Sequence, residues 1–187
     1  NARVNEKSLR KAQRLHWLSR PAYGGLTAVW AQTEDDAQRL RSIGAPVRAV
    51  LGNLKFDLVP DAAQVAQGRA WRTSLQRPVV MFASSREGEE AQWLALLDQI
   101  SPQEQASVQW LVVPRHPQRF NAVAQLIEAA GWSVQRRSQW PVESVPAAKP
   151  KTVWLGDSLG EMQAYYQRAS VAWLGGSFEP LGGQNLI

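Results

Sequence analysis

The sequence predicts an α/β protein built on a doubly wound parallel sheet. Three features point there. Short apolar runs alternate with helix-patterned stretches along most of the 187 residues, the order expected when helices cover both faces of a parallel sheet. Strand, helix and strand fall within about 25 residues between 26 and 51, a tight βαβ unit that implies parallel pairing. Helix-capping residues stand directly after several of the apolar runs, where a strand would hand over to a helix.

Each element has a local reason. Residues 8–19 read as a helix with Leu9, Ala12, Leu15 and Leu18 on one face, stopped by Pro21 and followed by a turn. Residues 26–31 read as a buried strand. Thr33 then caps a helix whose first turn holds Glu34, Asp35 and Asp36 and which Gly44 ends. Residues 47–51 are the second strand, and 52–57 a loop. The composition then shifts to Pro60 with scattered Ala and Gln, so 58–76 reads as an interdomain linker holding a helix at 63–74.

The rest alternates. Strands are expected at 78–84, 108–113, 132–136, 153–155 and 171–174, and helices at 87–100, 120–130 and 159–168. Gly131 closes the second of these helices, and a Pro/Ala/Lys loop covers 141–151. The nine tryptophans are scattered, which suits packing better than an aromatic binding stripe. At the end, Gly182-Gly183, Gln184-Asn185 and Leu186-Ile187 read as a loop, a cap and the start of a helix. The chain begins at Asn1 and stops inside that last element, so it reads as a fragment of a longer protein.

Composition excludes several classes. At 44% hydrophobic and 20% charged residues the chain is globular, not disordered. It has no cysteine, so neither a disulfide framework nor a Cys-based metal site exists. Its two histidines, His16 and His116, lie far apart, so no metal site is expected. No apolar run approaches the roughly 18 residues of a membrane span. The net charge is +5, and the same +5 arises within 1–20, where Arg3, Lys7, Arg10, Lys11, Arg14 and Arg20 face Glu6 alone. That segment is either a solvated helix face or a patch for anionic lipid or phosphate groups. Nucleic acid is disfavoured as a partner, because no recognition motif accompanies the charge.

In open parallel sheets, ligands bind at the carboxyl ends of strands beside helix N-termini. Four stretches fall there. In 83–90, Ser84 and Glu87 match an S-x-x-E capping box, which by itself explains the acidic residues. In 112–120, Pro114 and Pro117 stiffen a loop that carries Arg115, a side chain suited to capturing a phosphate or carboxylate or to pairing with a neighbouring acid. His116 reads as a hydrogen-bonded loop residue. In 155–162, Ser158 and Glu161 repeat the S-x-x-E pattern, but Gly160 is poor chemistry for an early helical position unless something approaches the backbone closely. In 175–187, paired glycines and a cap form a possible anion cradle. Lys55, in "GNLKFD", stands at the boundary of the two α/β units, as a snorkelling surface residue or a cleft residue.

Taken in order, "NARVNEKS", "AQTEDDAQRL", "GNLKFD", "EGEE", "LVVPRHPQRF", "GDSLGE" and "GGSFEPLGGQN" resemble the 3-deoxy-D-manno-octulosonic acid (Kdo) transferases of lipopolysaccharide synthesis. The resemblance covers nearly the whole chain. It implies a GT-B architecture of two Rossmann-like domains. Residues 1–57 would close the N-terminal, acceptor domain, and 77–187 would form a truncated donor domain. It implies inverting, metal-independent transfer of Kdo from CMP-Kdo to a lipid A precursor, with no cofactor, at the cytoplasmic face of the inner membrane of a Gram-negative bacterium. Contact with that membrane would be peripheral or through a segment outside this sequence. Pro114, Arg115, Leu159, Gly160, Glu161, Asn185, Leu186 and Ile187 would bind the CMP moiety. Lys55 would stabilise the transition state, and the general base would be a glutamate outside this sequence. Gln184 departs from the family's usual histidine. The competing readings are a UDP-sugar transferase or epimerase of the same architecture, and a non-catalytic basic binding module.

Overall fold

The computed structural model describes residues 1–57, 59–75, 77–141, 145–176 and 178. Contacts between Cα atoms divide the chain into two compact units, residues 1–59 and the residues from Pro60 onward.

The first unit holds α1 (Glu6–Arg14), α2 (His16–Gly24), β1 (Val29–Ala31), α3 (Glu34–Ser42) and β2 (Val47–Val50). The strands pair in parallel, with Val29 opposite Val47 and Ala31 opposite Val50. Thr33 caps α3 as its position implied: its Oγ accepts the amide of Asp36 at 3.1 Å. Asp36 is buried and accepts the amide of Val4 at 3.1 Å, which pins the chain before α1 to α3. Val4, Val29, Ala31, Ala37, Leu40, Ile43 and Ala45 form the core, and Leu9 and Ala12 pack against it.

The single helix expected at 8–19 is corrected. Leu15 leaves helical geometry at φ −105°, ψ 39°, and the chain restarts as α2 with Pro21 inside it. Pro21 therefore does not stop the helix. Its missing N–H deprives the carbonyl of Trp17, a residue 69% exposed, where solvent can serve instead. The break also rotates Leu15 and Leu18 out of the face shared by Leu9 and Ala12, and both are exposed.

The second unit holds α4 (Ala62–Thr73), β3 (Val79–Ser85), α5 (Glu89–Leu97), α6 (Pro102–Ser107), β4 (Gln109–Pro114), α7 (Phe120–Ala129), β5 (Ser133–Arg136), β6 (Thr152–Leu155), α8 (Met162–Arg168) and β7 (Val171–Leu174). Five strands make one parallel sheet in the order β5-β6-β4-β3-β7. Strand alternation sorts the core into two layers. Phe82, Trp110, Val112, Val153 and Leu155 join Trp93, Leu94, Val123 and Ile127 from α5 and α7. Met81, Ala83, Leu111, Val113 and Trp154 join Trp71, Ala164 and Tyr165 from α4 and α8. Both sheet faces are covered, so the sheet is doubly wound.

The segment read as an interdomain linker contributes α4, which belongs to this unit and packs on α8. The reason is Gly68. A Cβ there would stand 2.4 Å from the Ala164 carbonyl oxygen and 2.6 Å from the Gln167 Cβ, so the two helices touch backbone to backbone. Gly68→Ala is expected to cost about 1–3 kcal/mol through overpacking, although alanine is the better helix former. Urea unfolding of the full-length protein checks this, and a stabilised Gly68→Ala variant would show that the helices do not meet there. One element escaped the sequence reading. Ser101 and Glu104 make a full capping box for α6, with Pro102 as first residue. The S-P-x-E signal was visible at that point.

Candidate functional site

The carboxyl ends of β3, β4, β6 and β7 open on one side of the second unit, because the strands are parallel. β4 ends in buried Pro114. Arg115 follows, and its amide donates to the Ser85 carbonyl at 2.9 Å, tying the loop to the end of β3. Pro117 holds His116 extended at φ −125°, ψ 130°, as the sequence implied, and a single 3-10 turn (Pro117–Arg119) leads into α7. The Arg115 side chain is exposed, and among the described residues no ion pair or side-chain hydrogen bond restrains it. The neighbouring acid instead takes Arg119. Glu90 Oε1 lies 2.6 Å from its Nη1, and Glu90 Oε2 lies 3.1 Å from its Nη2.

β6 ends at Leu155, and Gly156 follows, where a Cβ would stand 2.8 Å from Val113 Cγ2 and 3.0 Å from the Tyr165 ring. Only glycine lets the chain leave the sheet so close to β4. Asp157 comes next, its side chain fully packed. Burial by itself would raise its carboxyl. The amide and hydroxyl of Ser138 and the Arg136 guanidinium, at 2.7–2.8 Å, outweigh that and hold it below its usual range. Asp157 thus stays ionised and ties the β6 exit to the segment after β5.

The second S-x-x-E sequence does not cap a helix. α8 starts at Met162, and Gly160 lies before it in a left-handed turn at φ +79°. Among the described residues no neighbouring atom stands within 4 Å of where its Cβ would be, so none of them closes off the backbone there. Ser158 donates instead to the Glu161 carboxylate and meets the Tyr165 hydroxyl. Burial pushes the Tyr165 phenol up, so it remains neutral. Glu161 also accepts from Arg137 Nη2 at 2.7 Å, and that guanidinium lies over Trp71 at 4.8 Å. The sequence reading missed Arg137, because its partner is 24 residues away and no spacing rule links them.

The first S-x-x-E sequence is corrected in the same way. β3 runs on to Ser85, which pairs with Pro114, and Ser84 sits at φ 55°. Gly88, at φ 89°, precedes α5, so Ser84 and Glu87 form no capping box. The sheet register moved the helix start two residues along.

Pro114, Arg115, Leu159 and Gly160 come together around one small pocket of 120 Å³, floored by Val113 and Phe120 and backed by Ser158 and Tyr165. Glu161 borders it. A wider, open basin of 940 Å³ adjoins on the Arg115 side, lined by Arg86, Glu87, His116, Gln118 and Arg119. Lys55 belongs to the first unit, exposed in a 3-10 turn (Leu54–Asp57), with its amide bonded to Asn53 Oδ1 at 3.1 Å. Asn185, Leu186 and Ile187 lie outside the described residues. Among the described residues no three His, Cys, Asp or Glu side chains gather as a metal would need.

A parallel sheet covered by helices on both faces, with a pocket at the carboxyl ends of its strands, places the second unit in the doubly wound α/β class, whose ligands bind at that edge. The comparisons with known proteins all point to one group of enzymes. Residues 1–58 match the model of 3-deoxy-D-manno-octulosonic-acid transferases (kdotransferases). The whole chain is 44% identical to the 3-deoxy-D-manno-octulosonic acid transferase of Bordetella pertussis, spanning 44% of that protein. It is 29% identical over 99% of its length to the enzyme of Haemophilus influenzae, spanning 43% of it. Among solved structures, the C-terminal CMP-Kdo binding domain of WaaA from Acinetobacter baumannii matches with a TM-score of 0.56 and 32% identity, over 67% of this chain and 63% of that one. Along its whole length the chain is similar to these Kdo transferases. It spans less than half the length of these two curated relatives.

Proposed function

We propose that the protein to which this chain belongs is a GT-B glycosyltransferase that moves Kdo from CMP-Kdo to a lipid A precursor. Transfer proceeds with inversion and without a metal, at the cytoplasmic face of the inner membrane. The observation that carries the reading is the grouping of Pro114, Arg115, Leu159 and Gly160 around one pocket, in a chain 44% identical to a Kdo transferase. A structural neighbour described as a CMP-Kdo binding domain supports the choice of donor.

The chemistry follows from charge. When the bond between Kdo and CMP breaks, the departing phosphate gains negative charge. Fixed cations near it stabilise the transition state more than the ground state. Arg115 is the cation of the second unit suited to this, and Lys55 that of the first. Leu159, Gly160 and Glu161, with Asn185, Leu186 and Ile187, hold the cytidine and its ribose. The base that takes the acceptor hydroxyl's proton is supplied from outside this chain. We therefore expect transfer by the longer protein and none by residues 1–187 alone.

Titration of CMP, UMP and UDP against the full-length protein tests the donor, with CMP binding tightest. A preference for UDP would favour a UDP-sugar transferase or epimerase instead. Transfer of Kdo by residues 1–187 alone would remove the need for an outside base.

A further inference from the structure

We propose that Glu89 and Glu90 are positioning residues for the donor nucleotide. Their two adjacent carboxylates clamp the loops after β3, β4 and β7 into one rigid wall. The proposal rests on the donor-site reading above.

Acidic residues in a first helical turn ordinarily face water, where the helix dipole favours them. These two do not. Glu89 is 0% and Glu90 1% exposed. Burying two neighbouring carboxylates is costly unless each is fully hydrogen-bonded, and a helix start does not require it. Both are satisfied, and by different loops. Glu90 accepts the Ser85 hydroxyl at 2.7 Å and takes Arg119 in a bidentate pair. Arg119 closes the 3-10 turn directly behind Pro114-Arg115, its amide bonded to the His116 carbonyl at 3.0 Å. Glu90 thus joins the end of β3 to the loop that carries Arg115.

Glu89 faces the other way, because successive residues on a helix point about 100° apart. Its Oε2 accepts the Arg86 amide at 2.8 Å. Its Oε1 accepts the amides of Gly176 at 2.6 Å and Phe178 at 3.2 Å, in the segment just after β7. That segment is pressed in closely. A Cβ on Gly175 would stand 2.4 Å from the Ser84 carbonyl oxygen and 2.9 Å from Glu89 Oε2. The Arg115 amide bonded to Ser85 adds a third tie. One dipeptide thereby sets the relative placement of the Arg115 loop and the β7 exit before any nucleotide arrives, which is preorganisation of a binding site.

Glu89→Gln and Glu90→Gln in the full-length protein test this. Glutamine keeps the shape but turns an NH2 group toward existing donors. Each variant is expected to weaken CMP binding by about 10–100-fold, by analogy with the loss of supporting contacts behind metal ligands. Glu89→Gln should also speed amide exchange at Gly176 and Phe178 while central β3 and β4 amides stay protected. Wild-type CMP affinity in folded Glu90→Gln protein overturns the clamp. If Arg115→Ala also binds CMP normally, the donor-site reading itself has failed. If Glu90→Gln does not fold, the double variant Glu90→Leu/Arg119→Met replaces the ion pair with apolar groups and separates folding from positioning. The proposal expects that double variant to fold and still bind CMP weakly, and wild-type affinity there would sink it.

Discussion

Replacing Arg115 with alanine in the full-length protein is expected to lower Kdo transfer by about 10²–10³-fold, the usual cost of removing one fixed group aimed at developing charge. The expectation rests on how the side chain is held. Pro114 is buried, Pro117 fixes His116 in an extended conformation, and the Arg115 amide is bonded to Ser85. The loop is therefore stiff while the guanidinium stays available, because Glu90 is already taken by Arg119. A cation kept ready in this way costs little to aim at a phosphate. Steady-state kinetics with CMP-Kdo decide the role. If Arg115 acts on the transition state, kcat falls; if it only holds the ground state, KM rises and kcat does not. Arg115→Lys should recover part of the loss, since lysine keeps the charge but not the planar fork. Lys55→Ala is expected to act in the same direction. Unchanged rates in Arg115→Ala would remove it from the mechanism.

Trp154→Ala is expected to destabilise the protein by about 3–5 kcal/mol, at the upper end for a core truncation. Trp154 is 0% exposed in the middle of β6. Its ring meets Trp140 edge-on at 4.9 Å, and the Arg168 guanidinium lies over it at 5.7 Å. Its Nε1 donates to Gln135 at 2.8 Å. Truncation leaves a cavity, an unpaired amide oxygen and a buried arginine without its aromatic neighbour. Burial already lowers the Arg168 pKa to about 10, with Arg72 adding repulsion, so that cation has little to spare. Trp154→Phe should cost less, because it keeps most of the ring contacts even though it loses the hydrogen bond to Gln135. Urea unfolding of the full-length protein measures both, and a loss under about 1 kcal/mol for Trp154→Ala would mean that the core there repacks freely.

The strands of the second unit were legible in the sequence almost residue by residue. Apolar runs such as 108–113 and 153–155 have to be buried on both faces, and no other element of that length buries every side chain. Turn glycines were legible for a similar reason. Gly44 and Gly131 sit at φ 92° and 75°, where other residues are strained. Helix starts were less so. Ser84-x-x-Glu87 and Ser158-x-x-Glu161 have the letters of capping boxes, yet neither caps, because an S-x-x-E pattern carries no information about where a neighbouring strand's register ends. The basic segment 1–20 was legible as charge, but its break at Leu15 was not.

The site divides along the same line. Arg115 and Gly160 stand out in the sequence through local stiffness and backbone freedom, whereas Leu159, and Pro114 as a binding residue, are implied only by the resemblance; all four line one pocket. Residues that act across the fold do not stand out. In the sequence Glu89 and Glu90 read simply as helix-start acids, and nothing local marks Arg137. What the sequence by itself determined is the resemblance to Kdo transferases and the order of the strands, because periodicity and turn chemistry are local. What only the tertiary structure decided is which carboxylate meets which loop. A charge can be buried only where distant donors converge on it, and that convergence exists only once the sheet has brought the strand ends together.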